Sequence, residues 1–341
     1  MKTNRLIFII LLLLAGAAVY VYMNNDRTTL KEDLSDFAIP DTASVTKFFL
    51  ADRQGREITL ERLESGNWEL NGKYGVRRDL LDVLLRTVAN VQLKAPISKK
   101  AHNAIIRNMS SKAQKIEIYT DGTFAKTYYV GNSAKDNLGT YMLIENSSVP
   151  YVTHLPGFNG YLTPRYSTVE NEWRNTLICD YRVSEVKSID ITYHNKPENS
   201  FRIDRLGQDQ YKVTATSPET VIANFDSVSV RRYLLGLRKV HFESFEERKG
   251  IDRDSVLAGP KLVTLKIEPV VGEVIKIDAW RMSAGEGAVN LDGNPIKWDI
   301  DRMHATINDD PELIFVQYFT LDRLLVSLDQ FELDPLLRRD N

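Results

Sequence analysis

The feature that most constrains the fold is an internal repeat, in which two long stretches carry the same order of short strands and one amphipathic helix. Residues 77–92 place apolar side chains at spacings of three and four, which is typical of a helix with one buried face. Residues 226–241 repeat this pattern. Apolar residues of the two helices match at a constant offset (240 − 91 = 149): Leu85 with Leu234, Val88 with Leu237, Val91 with Val240, and Leu93 with Phe242. A period this long indicates a duplicated domain and not a solenoid.

Strand-like segments precede both helices and predict the fold class. In each half, three short segments rich in apolar residues are separated by polar or glycine-containing turns. They are residues 46–51, 57–63 and 67–70 in the first half, and 186–193, 201–206 and 211–214 in the second. We therefore expect an α+β protein of two similar units, each a mostly antiparallel sheet with one long amphipathic helix packed on it. The predicted boundaries are a first unit at 44–168, a connector at 169–182, a second unit at 183–335 and a tail at 336–341.

An uncharged apolar segment at residues 6–22 precedes the first unit. A bilayer-spanning helix needs about 20 such residues, so the segment predicts a transmembrane anchor over residues 1–23, followed by a polar linker at 24–43. Two basic residues before the segment predict a cytoplasmic N-terminus and an exported C-terminal body. Small residues at 15–18 leave a second interpretation open, in which the segment is a signal peptide that is cleaved.

Charge and cysteine content exclude several classes of function. Lys and Arg number 44 against 46 for Asp and Glu, a net charge of −2, so the chain lacks the basic surplus of a nucleic-acid-binding protein. The single cysteine, Cys179, excludes an intramolecular disulfide and any multi-cysteine zinc motif. Its apolar neighbours favour a buried thiol over a reactive or metal-binding one.

Side chains that could carry catalysis are scattered along the chain. The five histidines have no metal-ligand spacing, and the nucleophile motif GxSxG is missing. The glycine-rich stretch 283–295 lacks the Lys-Ser/Thr of a phosphate-binding loop, so we interpret it as a long hairpin connection that could contact a partner. Asp299 and Asp301 alternate along a predicted strand, which favours a solvated strand face over an acid/base pair or Ca²⁺ ligands. We assign no catalytic, cofactor-binding or metal-binding residue and expect no cofactor.

An aromatic-rich stretch near the connector is the best candidate for a partner surface. Its members are Phe158, Tyr161, Tyr166, Trp173 and Arg174. Two interpretations remain open. These rings could fill the seam between the two units, or part of the surface could bind a partner, because Tyr, Trp and Arg dominate interface hot spots.

The order of these features resembles a known family. A leading apolar segment, two strands, a strand with Trp68, a helix, and a Trp173-Arg174 pair after a Tyr-Val strand are similar to bacterial envelope proteins known as domain of unknown function 4340. The resemblance covers about residues 44–260 and rests on apolar patterns. Members are often encoded beside ABC-type transporter components of the gliding-motility type, which implies a role near a transport complex. The family supplies no catalytic residues to carry over.

These observations lead to one expectation and one alternative. We expect a single-pass bacterial inner-membrane protein, anchored through residues 6–22, whose periplasmic body is a non-enzymatic binding or scaffold module and an accessory of an ABC-type transport complex. Membrane transporter subunits are the expected partners. The alternative is an exported hydrolase or carbohydrate-active enzyme with an unrecognised site.

Overall fold

The computed structural model describes residues 36–332 and divides the chain into two compact units. Unit 1 comprises the residues up to Asn175, and unit 2 begins at Thr176. Each unit is built around one large antiparallel sheet and has its own hydrophobic core.

Unit 1 has nine strands and three helices among its described residues. The strands are β1 (Val45–Ala51), β2 (Glu57–Arg62), β3 (Trp68–Leu70), β4 (Tyr74–Gly75), β5 (Gln92–Pro96), β6 (Gln114–Thr120), β7 (Thr123–Ser133), β8 (Thr140–Ile144) and β9 (Tyr151–His154). The helices are α1 (Arg78–Asn90), α2 (Lys99–Lys112) and the single turn α3 (Glu170–Trp173). All nine strands form one sheet in the order β4-β3-β2-β1-β6-β7-β8-β9-β5.

Unit 2 repeats this construction within its described residues. Its strands are β10 (Leu177–Cys179), β11 (Val186–Tyr193), β12 (Phe201–Gly207), β13 (Gln210–Thr216), β14 (Glu219–Val221), β15 (Val240–His241), β16 (Ser244–Phe245), β17 (Lys261–Pro269), β18 (Ile275–Ser283), β19 (Trp298–Ile307) and β20 (Ile314–Gln317). Its helices are α4 (Ser227–Leu235), α5 (Arg253–Ala258) and the single turn α6 (Tyr318–Leu321). The large sheet has the order β14-β13-β12-β11-β17-β18-β19-β20-β16, and β10 pairs separately with β15.

The two large sheets have the same strand order and the same register at equivalent positions. In unit 1, Ile116 of β6 pairs with Tyr128 of β7. In unit 2, Leu265 of β17 pairs with Ile277 of β18. Both partners are displaced by the offset seen in the helices (265 − 116 = 149), so the repeat extends through the central hairpin of each sheet.

The prediction that each unit is an α+β design with one long helix packed on a sheet is wrong. Side chains of an antiparallel strand alternate between two faces, so nine paired strands supply most of the buried residues of each core by themselves. Helix α1 adds Leu81, Leu84 and Val88 to the first core. Helix α4 is only nine residues long. After Leu235 the backbone hydrogen bonds change to the i→i−3 type, and the chain then turns at Lys239, whose φ of 48° is left-handed. The units are therefore mainly antiparallel β structures.

The prediction of a single-pass inner-membrane protein with an N-terminal transmembrane helix also needs correction. Among residues 36–332 no helix is long and apolar enough to cross a membrane, and the longest, α2, has 14 residues. Residues 1–23, on which the prediction was placed, lie outside the described residues.

Both faces of the unit 2 sheet are covered around β18. Ile277 and Ala279 point into the hydrophobic core. The alternate residues Asp278, Trp280 and Met282 point to the opposite face, yet each is at most 4 % exposed. Helix α5 and the chain on either side of it cover this second face, and that covering layer forms the candidate site.

Candidate functional site

A cavity of about 500 Å³ lies between helix α5 and the second face of the unit 2 sheet. Its volume falls within the range of small-molecule sites in proteins, about 300–1,000 Å³. Most of the surface inside it is apolar. The lining residues come from α5 and its flanks, from β17 to β19, and from the turn after β11: Asn195, Arg248, Ile251, Ser255, Val256, Gly259, Pro260, Lys261, Leu262, Trp280, Arg281, Met282, Ser283, Trp298 and His304.

The cavity exists because α5 is short. The helix ends after six residues, where the Gly259 N–H bonds to the Val256 carbonyl oxygen. Pro260 follows, and a proline disfavours helical backbone at the residue before it. The Trp280 indole Nε1–H donates to the Gly259 carbonyl oxygen at 3.2 Å, which fixes the end of the helix against β18.

Unit 1 has a longer helix at the equivalent place. Helix α2 has 14 residues and buries Met109 against β7. A Cβ atom at Gly131 of β7 would lie 3.0 Å from the Met109 Cγ atom. Gly131 is the counterpart of Trp280 (280 − 131 = 149). In unit 1 the long helix therefore packs directly on the strand, whereas in unit 2 Trp280 and the short helix α5 line an open cavity.

Two tryptophans with cationic neighbours form one side of the cavity. Trp280 is 4 % exposed, and Trp298 at its rim is 38 % exposed. The Lys297 ammonium lies 4.9 Å from the centroid of the Trp298 ring, and the Arg281 guanidinium lies 5.9 Å from it. Lys261 lies 5.7 Å from the Trp280 ring. Cations at these distances are attracted to the ring faces.

A polar cluster, in which Glu246 and His304 are buried and Arg248 is half exposed, lies at one end of the cavity. The Glu246 carboxylate accepts a hydrogen bond from Arg248 Nη2 at 2.6 Å and lies 2.9 Å from His304 Nε2. The Arg248 guanidinium covers the Phe315 ring at 4.7 Å, and its Nη2 lies 3.5 Å from Met282 Sδ. Burial alone would raise the pKa of Glu246, but the hydrogen bonds from Arg248 and His304 outweigh it and lower that pKa to about 2. Glu246 is thus held as an anion.

A second cluster fixes Asp278 on the same face of the sheet. Its carboxylate accepts hydrogen bonds from Lys261 at 2.8 Å and from the Thr264 hydroxyl at 2.6 Å, and Lys276 Nζ lies 3.2 Å away. Burial would raise the pKa of Asp278, but these donors, Lys261 first, lower it below the usual value. Asp278, like Glu246, is therefore paired with a cation and ionised at neutral pH.

Comparison with known families decides what kind of chain this is. A family model described as "Domain of unknown function (DUF4340)" matches residues 68–255, more than half of the chain. The chain belongs to the DUF4340 family. The family expected from the sequence is confirmed. Comparisons with curated proteins and with solved structures found no match.

The family match ends inside the candidate site. It runs from Trp68 in β3 to Ser255 in α5, so it includes Arg248 and Ile251 on the covering side of the cavity. Trp280 and the other sheet residues of the cavity lie beyond it. In this DUF4340 protein the match therefore spans only one wall of the site.

Two residues of the sequence-predicted partner surface lie in the core of unit 1. Tyr166 is fully buried, and its hydroxyl lies 3.2 Å from the Tyr128 hydroxyl. Trp173 is 2 % exposed, and its indole Nε1–H donates to the Ser167 carbonyl oxygen at 2.9 Å. These two rings stabilise the sheet of unit 1 from within.

The other three members of that predicted surface lie nearer to solvent. Phe158 and Tyr161 are 37 % and 42 % exposed. The Arg165 guanidinium covers Phe158 at 4.2 Å, and the Arg174 guanidinium covers Tyr74 at 4.1 Å. A partner surface at these residues stays a prediction.

Cys179 and Asp299, which the sequence also offered as candidates, both contact neighbouring protein groups. The Cys179 thiol is buried beside the Leu237 carbonyl oxygen, and burial raises its pKa to about 12. Asp299 Oδ1 accepts the backbone N–H groups of Asp301 and Arg302 at 2.8 Å. No group of three or more His, Cys, Asp or Glu residues within 36–332 is placed to hold a metal ion.

The cavity itself was missed by sequence reasoning. The glycine-rich stretch 283–295 drew attention as a long connection, and the structure places it between β18 and β19. The informative signal was at its two ends, where Trp280 and Trp298 flank the loop. A second signal was the Gly259-Pro260 pair, which truncates α5 relative to its counterpart in unit 1.

Proposed function

We propose that this protein is a non-enzymatic binding protein and that the cavity of unit 2 is its ligand site. The observation that carries the proposal is the concave, mostly apolar lining with two tryptophans in a volume of about 500 Å³. Sites of this kind bind ligands by burying apolar surface, and a few polar groups orient the ligand.

The electrostatics of the cavity favour binding over catalysis. A general acid or base works best with a pKa near the operating pH. Glu246 has its pKa lowered to about 2, and Asp278 is lowered as well, so neither carboxylate exchanges a proton readily at neutral pH. The alternative prediction of a hydrolase therefore draws no support from this site.

The role beside an ABC-type transport complex, implied by the family resemblance, stays a prediction. A ligand-binding module is compatible with that role. The cavity supports the expectation that the protein binds a ligand. It does not bear on the process that the protein serves.

The proposal can be tested with the neutral dye N-phenyl-1-naphthylamine, which fluoresces in apolar sites. We expect saturable binding by the full chain with one site. Ser255 is exposed on α5 and lines the cavity, so Ser255→Trp should fill the space and lower the affinity at least about tenfold. Ser111→Trp, at an exposed position on α2 of unit 1, is the matched control and should leave binding unchanged. Unsaturable binding, or equal affinity in both variants, would contradict the proposal.

A further inference from the structure

The charges around the cavity select among apolar ligands, an inference that rests on the binding function proposed above. Each carboxylate of the two clusters already has a cationic partner. Glu246 pairs with Arg248, and Asp278 pairs with Lys261 and Lys276. These pairs leave no negative charge in the clusters for a cationic ligand.

Two cations at the rim have no such partner. Within residues 36–332, neither Arg281 nor Lys297 forms an ion pair with a carboxylate. Both side chains are exposed, and both lie against the Trp298 ring. Asp299 is the next residue along β19, but its Oδ1 accepts two backbone N–H groups and it pairs with neither cation.

The position of these cations matches one end of an amphipathic molecule. Arg281 is among the residues that line the cavity, and its guanidinium lies 5.9 Å from the centroid of the Trp298 ring, which lines the cavity as well. A guanidinium can bind an oxyanion with two parallel hydrogen bonds. The ring of Trp298 and the apolar wall below it, with Met282 and Leu262, would contact the uncharged part of the same ligand.

We propose that the unit 2 cavity binds a small molecule that has an aromatic or aliphatic body and a single anionic group, with the body between helix α5 and Trp280 and the anion at Arg281 and Lys297. A carboxylate or a sulfonate has the chemistry required. The cavity volume of about 500 Å³ suits a compact ligand of this kind.

Two dyes with the same aromatic body distinguish the contribution of the anionic group to affinity from that of the buried apolar body. 8-Anilino-1-naphthalenesulfonate carries a sulfonate, and N-phenyl-1-naphthylamine lacks it. We expect the full chain to bind the sulfonate dye more tightly than the neutral dye. Added salt should reduce this preference, because the rim cations are exposed and screened.

Substitutions of the two rim cations test whether they cause the preference for the sulfonate dye. Arg281→Met should lower affinity for the sulfonate dye about tenfold, and Lys297→Met about threefold, with a much smaller change for the neutral dye. Arg232→Met removes an exposed cation from α4 of the same unit and is the control, so it should change neither affinity. This pattern would support the inference.

Two other results would overturn it and are distinguishable. If both dyes bind equally and Ser255→Trp abolishes both, the site binds apolar ligands without selecting anions, and the proposed function survives. If neither dye binds saturably, or if Ser255→Trp has no effect on either, the proposed function fails together with the inference.

Discussion

His304 Nε2 lies 2.9 Å from a carboxylate oxygen of Glu246, and neither side chain is more than 5 % exposed. This contact, together with Arg248, fixes the chain before α5 onto β19 and thereby holds one end of the cavity. The stability of unit 2 should consequently depend on the charge of Glu246.

Replacing that carboxylate by an amide should destabilise unit 2. Glu246→Gln keeps the shape but removes the charge that Arg248 and His304 contact, and such charge-assisted hydrogen bonds contribute about 1.5–3 kcal/mol. We expect a loss of about 2 kcal/mol in the free energy of unfolding, measured by urea denaturation. Glu219→Gln, at an exposed position in β14, should cost less than about 0.5 kcal/mol. Equal effects of the two substitutions would show that the buried cluster is not stabilising.

Stability should fall in acid over a defined range of pH. The pKa of Glu246 is lowered from 4.5 to about 2 in the folded chain. A lowered carboxylate pKa stabilises the folded state above the unfolded pKa, and that contribution is lost as the pH falls from about 4.5 to about 2. Urea unfolding at a series of pH values should show a shallower acid loss for Glu246→Gln than for the wild type. Parallel curves would contradict the assignment.

The thiol of Cys179 should be inert in the folded protein. Burial raises its pKa to about 12, and only the thiolate reacts quickly with disulfide reagents. We expect slow modification by 5,5′-dithiobis(2-nitrobenzoate) at pH 8 and stoichiometric modification once urea unfolds the chain. Fast reaction in native buffer would indicate that unit 2 opens at β10.

Unit 1 should not accommodate a side chain at Gly131, the counterpart of Trp280. A Cβ at Gly131 would lie 3.0 Å from Met109 Cγ and 3.1 Å from the Tyr141 carbonyl oxygen. Gly131→Ala should therefore destabilise the chain by about 1–3 kcal/mol through overpacking. Gly285→Ala, with no heavy atom within 4 Å of the added Cβ, is the matched control and should be nearly neutral.

The Met109 contact can be separated from the carbonyl contact by a double-mutant cycle. Shortening the side chain with Met109→Ala should recover part of the cost of Gly131→Ala, because the flexible neighbour is then gone. Simple additivity of the two free-energy changes would mean that α2 does not pack on β7 as described.

Local patterns in the sequence predicted local structure well. The spacing of apolar residues indicated a helix at 77–92, and the structure has α1 at Arg78–Asn90. The second helix was expected to reach His241, yet it ends at Leu235. Gly236 was the underused signal, because glycine destabilises the interior of a helix.

The class of fold could not be obtained in the same way. An amphipathic helix is visible within a few turns of sequence, whereas β1 pairs with β6 and β5 pairs with β9 across long stretches of chain. These pairings make nine strands into one sheet, and no local pattern records them. The helices consequently appeared more important to the architecture than they are.

The cavity could not be predicted from patterns of apolar residues, because it arises from a difference between the two units. Gly131 and Trp280 occupy equivalent positions in the two sheets, but one has no side chain and the other has the largest. Helices α2 and α5 follow equivalent strands, but α2 has 14 residues and α5 has six. Only their placement on the same face of the sheet shows that the difference encloses space.

The most direct test of the account is a crystal structure of the full chain with 6-bromo-2-naphthoate, an aromatic carboxylate whose bromine can be located by anomalous scattering. We predict one bromine site in unit 2, between α5 and Trp280, with the carboxylate within hydrogen-bond distance of Arg281. A bromine site elsewhere on the chain, with the unit 2 cavity empty, would contradict the claim that this cavity is the ligand site.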